Sequence, residues 1–473
     1  MPAWSFFALA AVISATVVRG APYVICEVDS APINGSAITP GKLRDVVENS
    51  GICETTPDVF QASGYADLTS NKSLWFWYFA ARNNPETAPL VLYVDGGPGV
   101  SGMIGLLQEH GPCRITNDSS SVTLNSHSWN NEVNMIYLDQ PVGVGFSTGE
   151  MVIDTSPKAA ADVWSFMQVF LNDTRFSSFQ GRPLGVWSQS YGGHFAPAIT
   201  ARFLEQNAQI DAGAVSGQKL NLKFLGIGNG MTDPLTQYPL YAEYAANNPY
   251  YPLTNASNIC RARAAFSDPG GCRDQIQNCY TTDSNSICSQ AIQFCNDKIL
   301  FSLVDEVDMY YILAKQPNPY PANITNFTNN IAPIIGGQKK FSPGSTEIVA
   351  KFFASGDWMR NFRPDLETTI KAGVRTLIYA GDADFIVNFM GVEAMVDALQ
   401  TQFTPEYNQT KFETYNVNGK PAGQFRNAGN FSYLRIFGAG HQAPAYGFNG
   451  LEAGEVAAQM FTQIMADKEL TSS

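Results

Sequence analysis

The chain is poor in charge, in basic residues and in histidine, and it has little uninterrupted apolar sequence. Charged residues make up 15% of its 473 positions, with 29 Lys and Arg against 42 Asp and Glu. The net charge of −13 excludes the basic face that a nucleic-acid partner requires. It suits a protein that stays soluble in an acidic place. The longest apolar stretch, residues 3–18, is too short to span a bilayer comfortably, and small residues follow it. Residues 1–20 therefore read as a signal peptide, although no Lys or Arg precedes the stretch; a membrane anchor is the competing reading. The C-terminus, A-D-K-E-L-T-S-S, has no hydrophobic tail of the kind that directs a lipid anchor. No C-x-x-C pair occurs and no histidine lies near the clustered cysteines, so no metal is expected. No internal repeat or low-complexity tract occurs.

What is present is the composition of a folded protein, 45% hydrophobic and 12% aromatic, enough for a large core. Eight cysteines, five of them between Cys260 and Cys295, fit disulfides made in an oxidising compartment. Nine N-x-S/T sequons, at Asn34, Asn71, Asn117, Asn172, Asn255, Asn323, Asn326, Asn408 and Asn430, predict N-linked glycans. Once the signal is removed, the protein is expected off the membrane and exported, with a vacuole as the alternative.

The runs P-L-V-L-Y-V (89–94), V-N-M-I-Y-L (133–138), P-L-G-V-W (183–187) and L-K-F-L-G-I-G (222–228) read as buried parallel strands. Helix-like stretches at 158–171 and 195–206 lie between them. The pattern returns with V-R-T-L-I-Y-A (374–380) and Y-L-R-I-F (433–437), and an amphipathic helix near 450–466 closes the chain. Alternation of this kind predicts an α/β fold with a mostly parallel sheet covered on both faces. Residues 231–335, rich in Tyr, Asn, Pro and Cys and weakly periodic, read as an insertion. Residues 21–230 and 336–473 are then the two parts of the core.

Ser190 follows one predicted strand and precedes a predicted helix, with Gly192 and Gly193 just behind it. A tight strand-to-helix turn strains a nucleophile's backbone and needs small neighbours. The strict signature is G-x-S-x-G, and here Ser188 replaces the first glycine. Alone, the motif serves a nucleophile or a helix-capping serine equally. The base follows by elimination among four histidines. His110 and His127 precede Ser190, against the Ser–Asp–His order of α/β-hydrolases. His194 lies along the same helix as the serine. His441 remains, on a loop after the run 433–437, where catalytic loops gather at the sheet edge. The acid is Asp382 or Asp384, in Y-A-G-D-A-D-F (379–385). Spacing does not choose, and the other is a turn or cap aspartate.

These residues resemble the serine carboxypeptidases over nearly all of the chain beyond the signal. The blocks D-G-G-P-G-V-S-G (95–102), E-H-G-P (109–112), S-W-N (128–130) and L-D-Q-P-V-G-V-G-F-S (138–147) come in the family's order. So do S-Y-G-G-H (190–194), G-N-G (228–230), Y-A-G-D-A-D-F and G-A-G-H (438–441). C-E-T-T-P (53–57) is most similar to the secreted fungal branch. The resemblance implies an α/β-hydrolase fold with a cysteine-rich cap, no metal or organic cofactor, and release of C-terminal amino acids from peptides and proteins. It implies Asp384 as the acid beside Ser190 and His441, and an oxyanion hole from the N–H groups of Gly97 and Tyr191.

It also implies that Asp95, Gly96, Glu109 and Gln189 hold the substrate's free carboxylate. Two of these depart from the family, which has Asn at the first position and Glu at the last. If the two side chains meet, acid and amide have exchanged places and the cluster is preserved; degraded carboxylate binding is the alternative. An acidic optimum is expected because a substrate carboxylate cannot settle beside Asp95 and Glu109 if both are ionised. Trp358 falls on a pocket tryptophan, and Gln442 borders the site of the leaving residue. A core Trp and a surface Gln are the plainer readings. The implied cap bridges are Cys279–Cys288 inside Cys272–Cys295. Cys26, Cys53, Cys113 and Cys260 are left with three possible pairings. Val100 and Val387 stand where the family has cysteines. An acyltransferase on the same scaffold and a non-catalytic binding homologue are the alternative functions.

Overall fold

The computed structural model describes residues 36–304, 307–314, 318 and 320–473, so the signal segment, Cys26 and Asn34 lie outside the described residues. A 12-stranded sheet runs through the molecule. Its strands come in the order Lys42–Glu48, Gln61–Thr69, Lys72–Phe79, Asn134–Asp139, Leu90–Val94, Leu184–Gln189, Leu222–Gly228, Arg375–Gly381, Phe431–Ile436, Lys420–Ala428 and Glu413–Val417. The short strand Thr148–Gly149 pairs beside Lys72–Phe79. Strands from Asn134–Asp139 to Phe431–Ile436 are mutually parallel. Both flanks are antiparallel.

The central strands bury both faces. Leu90, Leu92 and Val94 enter one core cluster, while Val91 and Tyr93 enter the other. That is the two-residue alternation of a strand covered on both sides. The first cluster is closed by the helices Ser156–Asn172 and Gly192–Asp211, which both contribute to it. The helix Glu455–Met465 closes the second. Each run expected as a parallel strand is one. The sequence reading does not predict the antiparallel flanks; Lys72–Phe79 carries a buried apolar run, whereas the other flank strands mix polar with apolar positions. One local signal for them is present: Asn418 and Gly419 are both left-handed and turn the hairpin between Glu413–Val417 and Lys420–Ala428.

Between Leu222–Gly228 and Arg375–Gly381 the described chain adds no strand to the sheet. It forms helices at Pro239–Asn247, Ala256–Ser267, Cys272–Thr282 and Asn285–Cys295, among others. The last two have 11 residues each, a length that is marginal in isolation. Cys272–Cys295 and Cys279–Cys288 join them as nested rungs, in the pairing that the resemblance implied. Buried cysteines thus replace much of the apolar stripe, which accounts for the weak periodicity. Cys53–Cys113 is the third bridge. Cys260 is exposed and unpaired among the described residues. No described helix is long and apolar enough to cross a membrane.

Candidate active site

Strand register brings the site together. Gln189 pairs level with Gly228, Gly228 with Tyr379, and Tyr379 with Leu434. Four parallel strands therefore end side by side, and the segments carrying Ser190, Asn229, Asp384 and His441 leave the same edge.

Ser190 adopts φ +61°, a left-handed conformation that is strained for a residue with a side chain. Its surroundings leave room for nothing larger than glycine. A Cβ at Gly192 would strike Ser188 Oγ, and one at Gly193 would strike the Met231 carbonyl. Ser188 is accepted in the first glycine's place because its hydroxyl donates to the Val94 carbonyl at 2.6 Å. The helix that follows has Tyr191 as its N-cap and no side-chain cap bond, so Ser190 is not a capping serine.

Asp384 is fully buried, and its Oδ2 lies 2.7 Å from His441 Nδ1. The same oxygen accepts from Asn229 Nδ2 at 2.9 Å and from the Val387 N–H at 3.3 Å, and Oδ1 accepts from the Ile386 N–H at 3.0 Å. Burial lifts the Asp384 carboxyl above its ordinary range, and His441 pulls it back. Asn229 is the centre of the G-N-G block, to which the sequence reading gives no role. It also accepts from the Gly381 N–H at 3.0 Å, so it locks the acid's loop to the neighbouring strand. No hydrogen bond joins Ser190 Oγ to His441 in this structure. Such bonds commonly tighten only when substrate binds.

The other histidines are occupied elsewhere. His110 stacks on Trp129 with 3.7 Å between ring centroids. His127 pairs with Glu452 at 2.9 Å. His194 has Nδ1 against the Met231 carbonyl and Nε2 against the Trp358 carbonyl.

The loop at Asp95–Gly97 presses on the serine turn. A Cβ at Gly96 would lie 2.5 Å from the Gln189 carbonyl oxygen and 2.6 Å from the Tyr191 nitrogen. Gly97 is left-handed at φ +109°. Among the described residues, the N–H groups of Gly97 and Tyr191 have no backbone acceptor. Two free donors beside a nucleophile can stabilise a developing oxyanion.

Asp95 and Gln189 do meet. Gln189 Nε2 donates to Glu109 Oε1 at 2.7 Å and reaches Asp95 Oδ1 at 3.4 Å. Asp95 Oδ1 also accepts from the Gly96 N–H at 2.7 Å. Glu109 Oε2 is buried without a partner. Burial raises both carboxyls, Asp95 to about 6 and Glu109 to about 8, and the charge of Asp95 adds to the rise at Glu109. Two buried carboxyls with no cation bonded to them share protons rather than ionise together.

Gln442 is not a surface residue. It is buried, and its Nε2 donates to Gln108 Oε1 at 2.7 Å and to Glu109 Oε1 at 3.2 Å. Gln108, which no sequence signal marked, donates in turn to the Ala322 carbonyl. Trp358 is buried, stacks near Tyr191 at 5.4 Å and donates from Nε1 to the Tyr238 hydroxyl at 2.9 Å.

Comparison with known proteins gives the family. A family model described as serine carboxypeptidase matches residues 51–467. Carboxypeptidase S1 of Penicillium janthinellum is 37% identical over 90% of this chain and 100% of its own length. A carboxypeptidase S1 homologue of Arthroderma otae is 30% identical, over 93% of this chain and 79% of its own. The crystal structure of a prohormone-processing carboxypeptidase from Saccharomyces cerevisiae superposes with a TM-score of 0.69 at 19% identity, covering 88% of this chain and 94% of that one. At that identity the likeness bears on the fold alone, which is that of an α/β-hydrolase. The family-model match over residues 51–467, with a relative 37% identical along its whole length, establishes that the chain belongs to the serine carboxypeptidase family.

Proposed function

We propose that the protein releases single amino acids from the free C-termini of peptides through an acyl-enzyme on Ser190. His441 takes the proton of Ser190 Oγ as the oxygen attacks the last peptide carbonyl. Asp384 holds the ring and stabilises the imidazolium. The N–H groups of Gly97 and Tyr191 receive the oxyanion. His441 then protonates the leaving amine, and water repeats the sequence to free the shortened peptide. Trp358, stacked by Tyr191, borders the acyl side, and Gln442 borders the leaving residue.

The observation that carries this reading is the buried Asp95–Gln189–Glu109 cluster beside the serine turn. A plain esterase has no use for protonatable carboxyls there. A terminal carboxylate does, because a protonated carboxyl on Glu109 Oε2 can donate to it. The test is hydrolysis of a peptide with an amine nucleophile added. Free amino acids should be released, and a fluorophosphonate should label Ser190. Acyl transfer outpacing hydrolysis would favour the acyltransferase reading, and an unlabelled Ser190 would favour a non-catalytic protein.

Export through an oxidising compartment is supported by the three disulfides. Asn71, Asn117, Asn172, Asn255, Asn326 and Asn408 are exposed and open to glycans. Asn430 is different. Its Nδ2, the atom that would carry the sugar, already donates to the Ile370 and Val374 carbonyls at 3.0 and 2.7 Å. Glycopeptide mass spectrometry of the secreted protein should find Asn430 unmodified, while the exposed sites carry sugar.

A further inference from the structure

Asp382 has no part in the chemistry above, yet it is buried and hydrogen-bonded through Oδ1. Its Oδ1 accepts from the Tyr250 hydroxyl at 2.5 Å and from the Gly438 N–H at 2.8 Å. The Gly438 N–H also lies 3.0 Å from the Tyr250 hydroxyl, so the three groups close a triangle. Gly438 is left-handed, opens the G-A-G-H turn and stands three residues before His441. Tyr244 adds a bond from its hydroxyl to the Asp382 carbonyl at 2.7 Å. Both tyrosines come from the helical segment that lies outside the sheet.

The same segment grips the triad loops again further along. The Phe385 and Ile386 N–H groups donate to the Met309 carbonyl at 3.1 and 3.0 Å, and the His441 N–H donates to the Tyr310 carbonyl at 2.8 Å. The Tyr310 ring meets the His441 ring edge-on at 5.3 Å. Within the core the two loops are joined directly, by the Asp382 N–H on the Ile436 carbonyl and the Ala383 N–H on the Ala439 carbonyl, each at 2.9 Å. The His441 turn is thus held on one side by the acid's own loop and on the other by the helical segment. Asp382 is the side chain at which the two meet.

We propose that Asp382 and Tyr250 form a clasp that positions His441, which makes the helical segment part of the triad's support as well as a cover. The inference rests on His441 acting as the base of Ser190. Both are positioning residues; neither touches substrate. Removing the Tyr250 hydroxyl leaves the Gly438 N–H as the one donor on Asp382 Oδ1 and loosens the hold on the Gly438 turn. A displacement of about an ångström at a catalytic group can cost about a hundredfold in rate.

The experiment compares wild type, Tyr250→Phe and Asp382→Asn in the full chain. The readouts are kcat and KM on a peptide, the rate of fluorophosphonate labelling at Ser190, and Tm. The clasp predicts a fall of about tenfold or more in kcat for each variant, a parallel fall in labelling rate, and little change in KM or Tm. Labelling needs Ser190 and its base but no bound peptide, so it isolates the position of His441. Wild-type kcat and labelling in both variants would overturn the inference. So would a loss of rate that only follows the fraction of protein left folded. A wild-type protein that neither trims peptides nor is labelled would sink the proposed function, and the clasp with it. A wild type that trims while both variants match it would sink the clasp alone.

Discussion

Ser190→Ala should lower kcat on a peptide with a free C-terminus by about a million-fold while leaving peptide affinity nearly unchanged. The reasoning is geometric. Ser190 is held at φ +61° by backbone bonds to Gly228, Gly193 and Met231, with glycines packed behind it, and it does not cap the following helix. Strain of this kind persists where a function requires it. His441→Ala should cost about as much, and the double variant no more than either single, because serine and base act as a unit. Asp384→Asn should cost about ten-thousandfold, since an amide can settle His441 in the wrong tautomer. Asn229→Ala tests the layer behind. It removes the 2.9 Å bond that fixes Asp384 Oδ2 and should lower kcat by a smaller factor, with KM unchanged. Steady-state kinetics with a binding measurement on each variant decides the order. An Asn229→Ala variant that loses affinity and keeps its rate would place that residue elsewhere in the account.

The second large effect lies in pH and in the exchanged pair. Burial raises the carboxyls of both Asp95 and Glu109 well above the ordinary range, and each one's charge opposes ionisation of the other. At low pH the carboxyls hold protons and can donate to a substrate carboxylate. As pH rises through their raised range, the cluster gains negative charge and repels the same carboxylate. The KM for peptides should therefore rise as pH climbs from about 4 to about 8 and the raised pair loses its protons, whereas an ester substrate without a free carboxylate should show no such rise. A flat peptide KM across that span would remove the cluster from the account.

Asp95→Asn is predicted to be harmful although it restores the family's residue. It sets an amide against the Gln189 amide and leaves Glu109 as the cluster's single carboxyl. Losing a hydrogen bond to a charged group costs about 1.5–3 kcal/mol, or about 10- to 100-fold in KM. Adding Gln189→Glu should return most of the loss, because the pair then stands as in the relatives. A double variant no better than the single would mean that the two positions are not coupled.

The parallel strands were legible because each is an apolar run buried on both faces, and their register then carried the site. His441 was legible because so few histidines compete. Asp384 was not separable from Asp382 by spacing alone. What separates them is contact: one meets His441 Nδ1, the other the Gly438 N–H and Tyr250. Asn229 lies in the G-N-G block and Gln108 within the helix Gly105–His110, but a single polar residue there does not reveal its bonding partner from sequence. Their roles arise from partners 152 to 334 positions away, as in the bonds from Asn229 to Gly381 and from Gln442 to Gln108. The exchange of Asp95 and Gln189 could be suspected from the resemblance, but whether the two side chains meet is a matter of three dimensions.

The most direct measurement is a time course on one peptide with a free C-terminus, followed by mass spectrometry at acid pH with wild type and Ser190→Ala. The account predicts a ladder that loses one residue at a time from the C-terminal end with wild type and an unchanged peptide with the variant. Internal fragments, or trimming that persists in Ser190→Ala, would contradict it.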